Sequence, residues 1–148
     1  MESFLGKWTG VRDENFGEYL AAKGLNWMLR QVITRSSIEK TFSSRSSDDD
    51  AGGNQGFHLI SVSPMKTVTW DFELGVEAQR SGMEYGGKPH SVKFDLVDNG
   101  KTLNEMHIPP GQTGYEIYRH SIDETSGNMV IEMEHSGVTA KRFFKKAA

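Results

Sequence analysis

Val138-Thr139-Ala140-Lys141-Arg142-Phe143-Phe144, followed by Lys145-Lys146, decides how the chain is read. At the period of two expected of a strand, Val138, Ala140, Arg142 and Phe144 share one face, and Thr139, Lys141 and Phe143 share the other. The face of small and apolar residues has the character of a core face, yet it carries an arginine. An unpaired buried guanidinium costs several kcal/mol, so this placement calls for a standing anion. Two alternatives stay open: Arg142 points to solvent, or a carboxylate of the protein itself pairs with it.

Moving outward, the preceding segments have the same grammar of short alternating runs and tight turns. Asn128 to Glu134 sets Met129, Ile131 and Met133 against Val130 and Glu132. Gly114 to Ile122 alternates Tyr115, Ile117 and Arg119 against Glu116, Tyr118 and His120, and the first set reads as inward. Thr102 to Ile108 and Pro89 to Val97 flank Asp98-Asn-Gly-Lys101, a strong tight-turn signal, with Val92, Phe94 and Leu96 together on one face. Val76 to Arg80, Lys66 to Glu73 (Val68, Trp70, Phe72 and Leu74 on one face), Phe57 to Val62, Ser37 to Phe42 and Phe4 to Arg12 complete ten strands. Ser43 to Gly56 is polar, glycine-rich and without periodicity, and reads as a solvated hairpin loop. It lacks the acidic residue that a calcium hand places twelve positions on.

Helical spacing occurs only near the N-terminus. Phe16 to Lys23 places Phe16, Tyr19 and Leu20 on one side, with Asn15 and Glu18 as a capping box and Gly24 as the C-terminal stop. Leu25 to Ile33 follows, with Leu25, Met28, Leu29 and Val32 at helical intervals. Ten strands joined by hairpins after one helical pair predict a mainly β fold, an up-and-down antiparallel barrel whose closure removes open edges.

At 148 residues the chain suits one domain, 1–148, and a formal net charge of -3 gives no support for nucleic-acid binding. Cysteine is absent, so disulfides, thiolate nucleophiles and cysteine-based zinc sites are excluded. The five histidines (His58, His90, His107, His120 and His135) show no metal-ligand spacing and read as scattered surface residues. No nucleophile elbow or phosphate-cradling loop is present. The expectation is a non-enzymatic protein with no cofactor and no metal. Met1 to Trp8 has no basic start or apolar run, and no stretch approaches the length of a membrane span, so a cytoplasmic location is expected.

Phe4-Leu-Gly-Lys-Trp8, Asn15-Phe-Gly-Glu-Tyr-Leu20, Gly24, Arg30-Gln-Val32, Phe72-Glu-Leu-Gly75, Asp98-Asn-Gly-Lys101 and Ala140-Lys-Arg-Phe-Phe144 stand in one order and spacing. In these the chain resembles the intracellular lipid-binding proteins, the family of the cytosolic fatty-acid-binding proteins, over essentially its whole length. The resemblance implies a ten-stranded β-clam of two roughly orthogonal sheets, with the helix-turn-helix as a lid over an internal cavity. It implies that an R-x-Y pair on the last strand and a second arginine on an earlier one bind a fatty-acid carboxylate. Arg142 takes the first position and Arg119 the second, while Phe144 stands where the family has tyrosine. Ser43 to Gly56 and Pro109-Pro-Gly111 are longer than the usual connections.

The function so implied is non-covalent carriage of a long-chain fatty acid, by a monomer that touches anionic membranes transiently through Lys23, Arg30 and Arg35. Retinoic acid or another hydrophobic carboxylate is the alternative ligand; retinol is disfavoured because retinol carriers of the family tend to have glutamine at the two arginine positions. A membrane-tethering role is the alternative class. Phe16, Tyr19 and Met28 either line the portal or dock the helices. Phe57, Trp70, Phe72 and Ile131 are either core or cavity wall, and Ile117 shares the face assigned to Arg119.

Overall fold

The computed structural model describes residues 1–45, 56–81 and 87–147. The alternating runs become ten strands: β1 (Gly6–Glu14), β2 (Glu39–Ser44), β3 (Gly56–Val62), β4 (Thr67–Glu73), β5 (Ala78–Ser81), β6 (Pro89–Val97), β7 (Thr102–Ile108), β8 (Glu116–Ile122), β9 (Met129–His135) and β10 (Val138–Lys146). The solvated loop expected at Ser43 to Gly56 lies mostly outside the described residues. All pairings are antiparallel, in the order β4-β3-β2-β1-β10-β9-β8-β7-β6-β5. The closing strand therefore lies beside the first one, and the meander becomes a nearly closed barrel. Its two ends approach each other where Gly75 N, just past β4, donates to Phe94 O of β6 at 2.8 Å and the Arg80 guanidinium of β5 donates to the Asp71 carbonyl of β4.

The bend that folds the sheet on itself lies in β1. The pairing of β1 with β10 slips by one residue between Gly10 and Arg12, the extra residue of a β-bulge, which kinks its strand. Gly10 is needed there: a Cβ would sit 3.3 Å from the Ile38 carbonyl oxygen, while Gly10 N donates to that same oxygen at 2.9 Å. The inner faces close over an aromatic core in which Phe4, Trp8, Phe42, Phe57, Phe94 and Phe144 are fully buried. Trp8 Nε1 donates to Phe4 O at 2.8 Å, so the indole is buried without an orphaned donor.

Two helices cross one end of the barrel: α1 (Phe16–Ala22) and α2 (Trp27–Arg35). The first buries Phe16, Tyr19 and Leu20 and packs mainly on β10. The capping box expected at Asn15 does not form. Asn15 is left-handed (φ 59°) and makes no side-chain cap bond; its amide instead donates to Thr139 O at 3.0 Å and ties the start of the helix to the closing strand. Asn26 caps α2 by accepting from Leu29 N at 2.9 Å. The apolar face expected of α2 is also corrected, because Met28 and Val32 are exposed together with Trp27. The helix leans on the core through Ile33, and Leu25 ahead of it packs there too.

Candidate functional site

β10 presents the face expected of it: Ala140 and Phe144 are buried and Arg142 is nearly so. The anion that the arginine calls for is supplied by the chain. Arg142 lies opposite Asp13 of β1, its Nε donates to Asp13 Oδ1 at 2.8 Å, and its guanidinium lies 4.1 Å from the centre of the Phe16 ring. Of the readings left open, pairing with a protein carboxylate is the one realised.

Arg119 is corrected. The antiparallel register of β8 with β7 sets His120 opposite Leu103 and Tyr118 opposite Glu105, and directly opposed residues share a face. Leu103 is fully buried, so Tyr118 and His120 go in with it. Arg119 is exposed, opposite Asn104 and Glu132, and the two-arginine clamp does not assemble. Ile117 is on the outer face for the same reason, opposite Met106.

Between the helices and the inner sheet lies a cavity of about 240 Å³. Its walls are largely apolar, with Leu59, Val68, Trp70, Ile131 and Met133 from the strands and Phe16, Tyr19 and Leu20 from α1. Its cations are Arg142, Lys23, Lys40 and Lys66. Phe16, Tyr19, Trp70, Ile131 and Arg142 thus stand where the sequence suggested. Met28 does not, being 72% exposed on α2. Phe57, Phe72 and Phe144 are buried outside the cavity lining. Phe57 and Phe72 belong to an aromatic cluster with Phe94, with ring centres 5.6 Å and 4.0 Å apart in turn, and Phe144 is core.

Sequence reasoning missed a buried polar cluster. His90, His107 and His120 are not surface residues; with Glu105 they are almost completely enclosed. His107 Nε2 donates to Glu105 Oε2 at 2.6 Å. His107 Nδ1 lies 2.8 Å from His90 Nε2, and His90 Nδ1 faces the Lys88 carbonyl at 3.1 Å. Both ends of this chain only accept. Burial raises the carboxyl pKa, but the hydrogen bond from His107 and the charge of Lys40 outweigh it and bring Glu105 down to about 2. Burial pushes His120 down to about 4, with Glu105 opposing and Lys40 reinforcing the shift. Among the described residues, no three His, Asp or Glu side chains converge to hold a metal. The missed signal was available: His90 shares period-two register with Val92, Phe94 and Leu96, and Glu105 and His107 with Leu103.

The lid is fastened to the barrel beside this cluster. Lys23 Nζ, just past α1, lies 3.1 Å from Glu116 Oε2 and 3.2 Å from the Tyr118 hydroxyl. The pair is largely enclosed, and His135 Nδ1 adds to Glu116 from the other side at 3.1 Å. Lys23 is therefore not presented to a membrane as the sequence suggested.

No family model matches the chain. It is similar to a fatty acid-binding protein homolog of Ascaris suum, 34% identical over 147 residues and covering 98% of this chain and 85% of that one. Fatty acid-binding protein homolog 4 of Caenorhabditis elegans is 29% identical over 145 residues, covering 98% and 94%. Among solved structures, As-p18, described as an extracellular fatty acid binding protein, superposes with a TM-score of 0.83 at 32% identity, covering 99% of this chain and 97% of that one. A Schistosoma mansoni fatty acid binding protein in complex with arachidonic acid, at 20% identity and a TM-score of 0.81, covering 100% and 98%, shares the fold.

Proposed function

The chain belongs to the fatty-acid-binding protein family, and from that premise we propose that it binds a long-chain fatty acid non-covalently in its cavity and carries it, as a binding protein and not an enzyme. The observation that carries this reading is the cavity itself, an apolar chamber under a helical lid with the Arg142 guanidinium in its wall. Burying roughly fourteen methylenes contributes about 11 kcal/mol gross at about 0.8 kcal/mol each. Loss of ligand freedom and side-chain ordering reduce that. Micromolar affinity needs only about 8 kcal/mol, so the acyl chain supplies most of the binding.

The head group is met by one arginine and not two. Arg142 already has Asp13 as partner, so a fatty-acid carboxylate joins or displaces an existing ion pair, with Lys40 and Lys66 adding positive charge to the same cavity. Arg142→Gln is expected to weaken oleic acid about tenfold, the value of one charge-assisted hydrogen bond, in displacement of a fluorescent fatty-acid analogue. Arg119→Gln, on the outer surface, is expected to leave it unchanged. Equal affinity in wild type and Arg142→Gln would sink the head-group assignment.

Residues 1–148 act in this reading as one unit, monomeric and cytoplasmic. Membrane contact is transient and falls to α2, where Trp27 and Met28 are exposed in the first turn and Arg35 stands in the last. Cell fractionation tests the location, and lipid transfer to anionic vesicles by Trp27→Ser tests the contact. Vesicle aggregation without cavity occupancy would favour a tethering protein instead.

A further inference from the structure

His120 and Glu105 each end in a buried atom without a hydrogen-bond partner among the described residues. The two atoms, His120 Nε2 and Glu105 Oε1, face each other at 3.9 Å and belong to side chains that line the cavity. What each atom presents follows from the bonds made behind it. His120 Nδ1 lies 3.2 Å from Leu103 O and 3.2 Å from Tyr118 O. Carbonyl oxygens only accept, so Nδ1 carries the proton, and Nε2 of the neutral ring offers a lone pair. Glu105 uses Oε2 to accept from His107 and leaves Oε1 with its lone pairs toward the cavity. His107 and His90 lie behind the carboxylate and are not part of the cavity wall.

At this point two acceptors, Glu105 Oε1 and His120 Nε2, stand without a donor hydrogen-bonded to them among the described residues, although Lys40 stands in the same wall. A ligand carboxylate brings only more lone pairs, and it meets the Glu105 charge. A primary amide brings two N–H groups on one nitrogen, one for each acceptor. A hydroxyl brings one. We propose that the space between Glu105 Oε1 and His120 Nε2 is a head-group subsite for an uncharged, hydrogen-donating lipid, a long-chain primary amide foremost, distinct from the Arg142 end that receives a carboxylate. The proposal rests on lipid occupancy of the cavity and adds a second ligand class to it. Leaving buried acceptors unpaired costs the desolvation of each group, so a donor that reaches both gains more than the same bonds would in water.

Registry makes the two ends separable. Arg142, Ile131 and His120 lie opposite one another on β10, β9 and β8, which puts the arginine and histidine backbones about 10 Å apart at the usual strand spacing. The test is competition of oleamide and oleic acid against a fluorescent fatty-acid analogue, in wild type, Glu105→Gln and Arg142→Gln. In Glu105→Gln the new amide can fill the acceptor pair from within. The ratio of oleamide to oleic-acid affinity is expected to fall about tenfold or more, the worth of a hydrogen bond to a charged acceptor. In Arg142→Gln the ratio is expected to rise.

An unchanged ratio in Glu105→Gln overturns the subsite even if oleic acid binds as proposed. Failure of wild type to bind either lipid overturns the cavity reading itself, and the subsite with it. Should Glu105→Gln not fold, ring-nitrogen NMR of histidine-labelled wild type decides the matter: oleamide is expected to shift His120 Nε2, and no shift overturns the subsite.

Discussion

Lowering the pH below 6.5 should destabilise this protein through His120. The ring is fully enclosed, faced by Glu105, Lys40 and Tyr118, with His107 on the far side of Glu105, and its pKa falls from 6.5 to about 4. In the unfolded chain the ring takes a proton as pH falls through 6.5, while the folded protein resists until about 4. Between those values the unfolded state holds more protons, so acid favours it. The stability contributed is complete above pH 6.5 and lost on the way down to 4. One pKa unit corresponds to about 1.4 kcal/mol, which makes roughly 3 kcal/mol of stability pH-dependent at this residue. Glu105, whose pKa drops from 4.5 to about 2, adds a loss of the same sign only below pH 4.5. Urea unfolding followed by tryptophan fluorescence from pH 7.5 to pH 4, in wild type and His120→Gln, reads the effect. The wild type should lose roughly 3 kcal/mol more than the variant. Equal losses would refute the enclosure of His120 as the cause.

Lys23→Met removes the cation from a largely enclosed pair with Glu116 and should cost about 1–3 kcal/mol in urea unfolding, because it leaves the carboxylate with His135 alone of the two partners described. Part of that loss should return in the double variant with Glu116→Gln, and full stability in Lys23→Met alone would show that the lid is held otherwise. Phe144→Tyr restores the family's residue but places a hydroxyl at a fully buried site outside the cavity lining. It should cost about 1–3 kcal/mol with no gain in fatty-acid affinity, and tighter oleic-acid binding would put Phe144 back into the head-group site.

The barrel was legible because its strands alternate and its turns carry Asn-Gly and Ser-Gly signals, so element type and order followed from local sequence. The closing strand kept two readings open, and burial of Ala140 and Phe144 with Arg142 beside Asp13 decides for the face of small and apolar residues. β8 was read on the wrong face. Tyr115, Ile117 and Arg119 are no less apolar as a set than Glu116, Tyr118 and His120, and alternation alone cannot choose between faces that each mix polar and apolar residues. The choice is made by register with Leu103 on β7, a tertiary fact. The same ambiguity hid the histidine cluster, because surface placement is the ordinary expectation for histidine and only the neighbours on β6 and β7 overrule it. Arg142 shows the converse: the need for an anion was legible, but its supplier, Asp13, was visible only once β1 lay beside β10.

Occupancy of the cavity by an acyl chain is tested most directly by contact quenching of Trp70, which lines the cavity, while Trp8 is shut in the core and Trp27 is 65% exposed on α2. Titration with a fatty acid brominated in mid-chain should quench wild-type fluorescence saturably, the unbrominated acid should not, and Trp70→Phe should abolish the quenching. Equal quenching in wild type and Trp70→Phe would place the chain outside this cavity and contradict the proposal.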